Sequence, residues 1–140
     1  FGLAQLKKLA NNISVRQENF RRQTNYFSQY ADIFINPQET PGSDTAWLAF
    51  PVLLKEDLPF TRKEFQVYLE ERNIQTRVVF TGNITKQPMS KEFKFRGTED
   101  YKNADNVMKN GVLLPCHHGL TDQMFTRLHE TIDEFLGLYT

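Results

Sequence analysis

The run WLAFPVLL, Trp47 to Leu54, is apolar at every one of its eight positions. That length is too short to cross a bilayer and suits a strand. With no polar residue alternating through it, the run predicts a strand covered on both faces. Pro51 has no backbone N–H, so the strand is expected at a sheet edge or bulged at that point. Arg77 to Phe80 (RVVF) and Gly111 to Pro115 (GVLLP) read as two further strands.

Helix signals fill the segments around these strands. Thr61-Arg-Lys-Glu64 is a capping-box pattern, opening a helix that buries Phe65, Tyr68 and Leu69 and stops near Arg72-Asn73. Asn103 to Lys109 reads as a short helix halted by Asn110-Gly111. Thr121 caps a last helix whose Phe125, Leu128, Ile132 and Phe135 share one face. The order helix, strand, helix, strand, short helix, strand, helix predicts an α/β fold, a short sheet with helices packed on it. From Thr81 to Lys102 periodicity is lost and turn residues accumulate, as in a long functional or interface loop.

At the other end, Leu6, Leu9, Ile13, Phe20, Phe27, Ala31 and Phe34 fall three, four or seven apart. This spacing predicts one long helix, or two joined helices, from Gly2 to about Phe34. Such a helix is roughly 45–50 Å long, more than a domain of this size spans. The expected organisation is a linking helix over 1–34 and a small α/β domain over 35–140, together part of something larger.

The chain has 140 residues, 17 basic and 17 acidic, so no net field draws it to nucleic acid or an anionic membrane. No apolar run is long enough for a transmembrane helix. The single Cys116 rules out an intrachain disulfide and fits a reducing, cytoplasmic setting. Cys116-His117-His118, with His129 beyond, invites metal or nucleophile readings. Adjacent residues leaving a strand diverge, however, and zinc needs convergent pairs, so no metal is expected and Cys116 is read as packed. Lys86, Lys91, Lys94 and Arg96 interleave with Phe93 and Phe95. Acidic neighbours dilute that patch, leaving a solvated loop or a site for one diphosphate group ahead of nucleic acid. Arg77 stands in an apolar strand and needs a partner, either an internal Glu or a carboxylate or phosphate from outside. No phosphate-binding glycine loop, nucleophile elbow or HExxH spacing is present.

The segments GLAQLKKL, SVRQENF, TPGSDTAWLAFPVLL, YLEERNIQTRVVFTGNITKQP and LPCHHGLTD, in this order, resemble the carboxy-terminal portion of the sugar aminotransferases and dehydrases of pyridoxal-phosphate fold type I. The resemblance covers essentially the whole chain and is strongest to the CDP-4-keto-6-deoxy-D-glucose-3-dehydrase branch of lipopolysaccharide biosynthesis. Similar aminotransferases carry a Tyr-Pro-Pro-Leu-His segment after the Arg-containing strand. Thr81-Gly82-Asn83 stands there in this chain, which is dehydrase-like. The resemblance implies a small carboxy-terminal domain behind a long interdomain helix, and a nucleotide-sugar substrate. It implies a pyridoxal or pyridoxamine phosphate cofactor held mainly by an upstream domain, a His base replacing the usual Lys there, and loss of the 3-hydroxyl of a 4-keto sugar. It further implies a homodimer and, in some members, an upstream [2Fe–2S] cluster. No catalytic residue is expected in this chain, which alone would be inactive.

Carried over by position, Arg77 matches the Arg before the loop, Thr81, Gly82 and Asn83 match the dehydrase motif, and His117 matches the family's LP-x-H ending. His118 departs from the usual Pro. The expected binding set is Arg77 for an anion, Thr81 and Asn83 for hydrogen bonds, Gly82 for close backbone approach, Lys86 near a diphosphate, and His117. The alternatives are a sugar-nucleotide aminotransferase with the same fold, or a free-standing binding module contacting its partner through the loop.

Overall fold

The computed structural model describes residues 2–93, 96–97 and 100–139; Phe1, Lys94 and Phe95, which figured in the expected first helix and basic patch, lie outside them. Four strands, β1 (Phe34–Ile35), β2 (Ala49–Leu54), β3 (Arg77–Val78) and β4 (Gly111–Pro115), form one antiparallel sheet in the order β1-β2-β4-β3. The apolar run is a central strand with period-two burial. Phe50, Val52 and Leu54 are at most 2% exposed, whereas Ala49, Pro51 and Leu53 are half-buried. Coverage on both faces is therefore corrected to coverage on one. Both faces of the strand are apolar, which hides the alternation from the sequence. Pro51 is at an edge only locally: β1 reaches no further than Leu53 and Leu54, so among the described residues only β4 pairs with the strand at Pro51.

The first helical region is two pieces, α1 (Gly2–Leu6) and α2 (Leu9–Ser28). The expected end near Phe34 is also corrected: the helix stops at Ser28, turns over 29–33, and delivers Phe34 to β1. Phe27 and Phe34 still meet, edge to face at 5.0 Å between centroids. A spacing of seven satisfied the helical pattern although only the first of the pair is helical. At twenty residues α2 is about 30 Å long, no more than the domain's own width. It buries Asn19, Phe20, Gln23 and Phe27 against the sheet, while α1 buries nothing and leaves Leu3 and Leu6 in solvent.

Helix α3 (Arg62–Glu71) begins as expected. Thr61 Oγ1 accepts the Glu64 N–H at 3.2 Å, and the Thr61 N–H donates to Glu64 Oε2 at 2.7 Å. It ends in a paired reverse turn: the Asn73 N–H donates to Glu70 O and the Ile74 N–H to Leu69 O, with Asn73 at φ 62°. Helices α4 (Lys102–Asn110) and α5 (Asp122–Leu136) flank β4, the latter capped by Thr121 Oγ1. A line of rings, Phe50, Phe27, Phe34, Phe65 and Phe135, with centroids 5.0–5.6 Å apart, joins α2, the sheet, α3 and α5 into one core. None of the described helices is long and apolar enough to cross a membrane.

Candidate ligand-binding edge

The third strand is shorter than RVVF suggests. Only Arg77 and Val78 pair with β4, because Phe80 takes φ 46° and Gly82 φ 60°, and this double reversal ends the strand. Left-handed backbone at a bulky aromatic residue is a strained arrangement. Phe80 is also 81% exposed, the most exposed large apolar side chain described. The chain then runs through two short 3-10 turns, Ile84–Lys86 and Pro88–Lys91.

Within this loop the Thr-Gly-Asn residues have distinct surroundings. Thr81 is exposed, and its carbonyl accepts Gln87 Nε2–H at 2.7 Å. Gly82 does approach a neighbour closely, but that neighbour is α4: a Cβ there would stand 2.4 Å from Met108 Cβ. Asn83 is buried at 3% exposure and occupied inside the loop. Its Oδ1 accepts the Thr85 N–H (3.0 Å) and hydroxyl (2.6 Å), and its Nδ2 donates to Asp105 Oδ1 at 2.7 Å. Lys86 forms an ion pair with Asp105 Oδ2 at 2.8 Å. Hydrogen bonds from Lys86 and then Asn83 hold the Asp105 carboxyl below the usual carboxylate range.

Arg77 and His117 lie elsewhere, both lining a cleft of about 380 Å³ at the end of β4, whose walls include Leu113, Pro115, Met124 and Arg127. Arg77 pairs with Leu113 and shares its side of the sheet. It is exposed, which removes the burial cost that asked for a partner, and no carboxylate among the described residues forms an ion pair with it, which leaves the internal-Glu alternative without support there. His117 Nδ1 accepts the Gly119 N–H at 3.1 Å, so the neutral ring carries its proton on Nε2. Thr81 and Gly82 line a second, smaller hollow of about 190 Å³ with Phe80, Gln87, Met108 and Arg62.

Helix α2 fixes the segment that carries His117. Gln23 Nε2 donates to Pro115 O at 3.2 Å, Asn19 Nδ2 to His117 O at 2.9 Å, and the Cys116 thiol to Arg16 O at 3.7 Å. Cys116 is fully buried, and burial pushes its pKa up to about 11 despite the nearby Arg16, so it is no nucleophile at neutral pH. His129 does not join His117. Its Nε2 lies 3.1 Å from Gln23 Oε1, its ring stacks on Tyr26 at 3.7 Å, and burial, then Arg22, lowers its pKa to about 4. No three His, Cys, Asp or Glu residues gather as metal ligands among the described residues. Sequence reasoning missed Asp105, Met108 and Gln87. Gln87 lies within the loop itself, whereas Asp105 and Met108 reach it only through space, Asp105 22 positions from Asn83 and Met108 26 from Gly82.

The DegT/DnrJ/EryC1/StrS aminotransferase family matches residues 1–133. The chain belongs to this family. Two curated DegT/DnrJ/EryC1/StrS relatives illustrate the likeness. The dTDP-4-dehydro-2,6-dideoxy-D-glucose 3-dehydratase of Saccharopolyspora spinosa is 35% identical over 96% of the chain and 29% of its own length. The lipopolysaccharide biosynthesis protein RfbH of Salmonella typhimurium is 31% identical over 98% of the chain and 31% of its own length. Among solved structures, the E. coli GDP-4-keto-6-deoxy-D-mannose-3-dehydratase with bound hydrated PLP superposes with a TM-score of 0.83 at 29% identity, covering 94% of this chain and 33% of that one. The chain thus spans about a third of these proteins, and its fold is that of the carboxy-terminal part of fold-type I enzymes.

Proposed function

We propose that this chain is the carboxy-terminal part of a pyridoxal- or pyridoxamine-phosphate-dependent 3-dehydratase acting on a nucleotide-linked 4-keto-6-deoxyhexose in deoxysugar or lipopolysaccharide biosynthesis. The observation that carries the reading is a split in identity. Relatives named as 3-dehydratases are 28–35% identical over at least 83% of the chain, whereas two aminotransferase structures stand at 17–18%. Sugar aminotransferase is the alternative reading.

In this account the chain lends side chains to a pocket built mostly by an upstream domain. The described residues do not themselves fit the cofactor. The only lysine of the binding set is paired with Asp105, and neither of the two buried unsatisfied polar atoms among the described residues, Arg16 Nε and Asn36 Oδ1, belongs to a residue lining the Arg77 cleft. What they fit is the rim. Arg77 offers a guanidinium to a phosphate or carboxylate, His117 a Nε2–H donor, and Thr81 a hydroxyl beside the exposed Phe80 ring. Gly82, Asn83 and Lys86 serve from within the loop, fixing where Thr81 and Phe80 stand. Helices α1 and α2 form the connection to the upstream domain, and the intact enzyme is a cytoplasmic homodimer. The test is the residue at the cofactor's Schiff-base position in the upstream domain. A His there is expected, and a Lys would move the assignment to aminotransferase.

A further inference from the structure

We propose that Asp105 is the positioning residue of the ligand-facing loop, clamping it to α4 so that Phe80 and Thr81 are presented in a fixed geometry. The assignment rests on the preceding reading, that this loop borders a nucleotide-sugar site.

Each oxygen of Asp105 holds a different end of the first 3-10 turn. Oδ1 takes the Asn83 amide at 2.7 Å and Oδ2 takes the Lys86 ammonium at 2.8 Å. Asn83 in turn bonds the backbone and hydroxyl of Thr85, while Ser90 Oγ donates to Thr85 O at 2.6 Å and Gln87 reaches back to Thr81 O. One helical turn beyond Asp105, Met108 presses on Gly82, so both fastenings lie on one face of α4. The helix itself cannot drift. It runs into β4 without a connecting loop, and its Lys109 carbonyl accepts Arg62 Nε–H at 2.9 Å. The loop's position is thereby referred to the centre of the sheet.

The energetics separate positioning from mere stabilisation. The Lys86 and Asp105 side chains are 57% and 36% exposed, and exposed ion pairs contribute little to folding. On the far side of the clamp, Phe80 keeps a strained left-handed backbone in full contact with solvent. Strain of this kind persists only where the surroundings over-determine it. The clamp and the strained aromatic together describe a loop set in advance for a ligand.

The test uses the intact enzyme and a panel of GDP-, dTDP- and CDP-linked 4-keto-6-deoxyhexoses, with calorimetric Kd, kcat and KM, thermal melting, and exchange of the Thr85 amide. Asp105→Ala loses the bonds to both Asn83 and Lys86, and Asp105→Asn keeps an acceptor for Asn83 but loses the ion pair. The expected result is a Kd and KM raised about tenfold in the Ala variant and less in the Asn variant, with kcat nearly unchanged and Thr85 exchange accelerated. Wild-type Kd in a folded Asp105→Ala enzyme overturns the assignment. If the Ala variant fails to fold, the Asn variant decides: a raised KM at unchanged melting temperature supports the clamp, and an unchanged KM overturns it. A wild-type enzyme that binds no member of the panel removes the nucleotide-sugar reading and the clamp's role with it, an outcome distinct from normal binding by every variant.

Discussion

Gly82 stands where neither backbone nor space admits a side chain. Its φ of 60° disfavours any L residue, and a Cβ would overlap the Met108 side chain. Gly82→Ala is expected to cost about 2–4 kcal/mol, combining left-handed backbone strain with overpacking, read as a lowered urea midpoint. The sequence announced a Gly at the exit of a strand but not its partner, because Met108 is brought there by the path of α4 and not by any local pattern. Asn83 was legible in the same partial way: its residue type and place were plain, its burial was not. His129 gives a second expectation. Its ring faces Gln23, Tyr26, Arg22 and Asp133, and its folded pKa of about 4 lies below the ordinary 6.5. Between these values the unfolded chain binds the extra proton. Stability is therefore full above pH 6.5 and falls as pH drops toward 4, by on the order of 2 kcal/mol. Melting temperatures from pH 7.5 to 4.5 should fall more steeply for the wild type than for His129→Phe; parallel curves would contradict this.

The helices and strands divide by how local their causes are. The capping box of α3 and the Thr121 cap of α5 each need only four consecutive residues, and both appear where the sequence predicts them. The ends of α2 and β3 depend on tertiary demands. Phe34 is drawn into the sheet beside Phe27, and the reversal at Phe80 shortens RVVF to a two-residue ladder. Phe27 is fully buried at the meeting of Tyr26, Phe34 and Phe50, and with Phe20 it is a main apolar contact of α2 with the sheet. Phe27→Ala should destabilise by about 3–5 kcal/mol, with an unchanged dependence on denaturant. A loss below about 1 kcal/mol would mean that α2 is held mainly by its polar contacts to Pro115 and His117.

Taken whole, the molecule has a dense core on one side of its sheet and an apolar, partly open face on the other. Ala49, Pro51, Leu53, Leu113 and Pro115 are half-buried there and Ile35 is exposed; separately, Leu3, Leu6 and Leu9 are exposed on α1 and at the start of α2. A face of this kind suits a body that contacts more chain than these residues provide. That agrees with relatives about three times as long. The helix length first suggested the same conclusion for a weaker reason, since α2 alone does not outgrow the domain. The reading as a 3-dehydratase meets its most direct test in the product of the intact enzyme. Proton NMR after incubation with a nucleotide-linked 4-keto-6-deoxyhexose and aminated cofactor should show loss of the C3 hydroxyl. A product keeping that hydroxyl and carrying an amine at C4 would contradict the account.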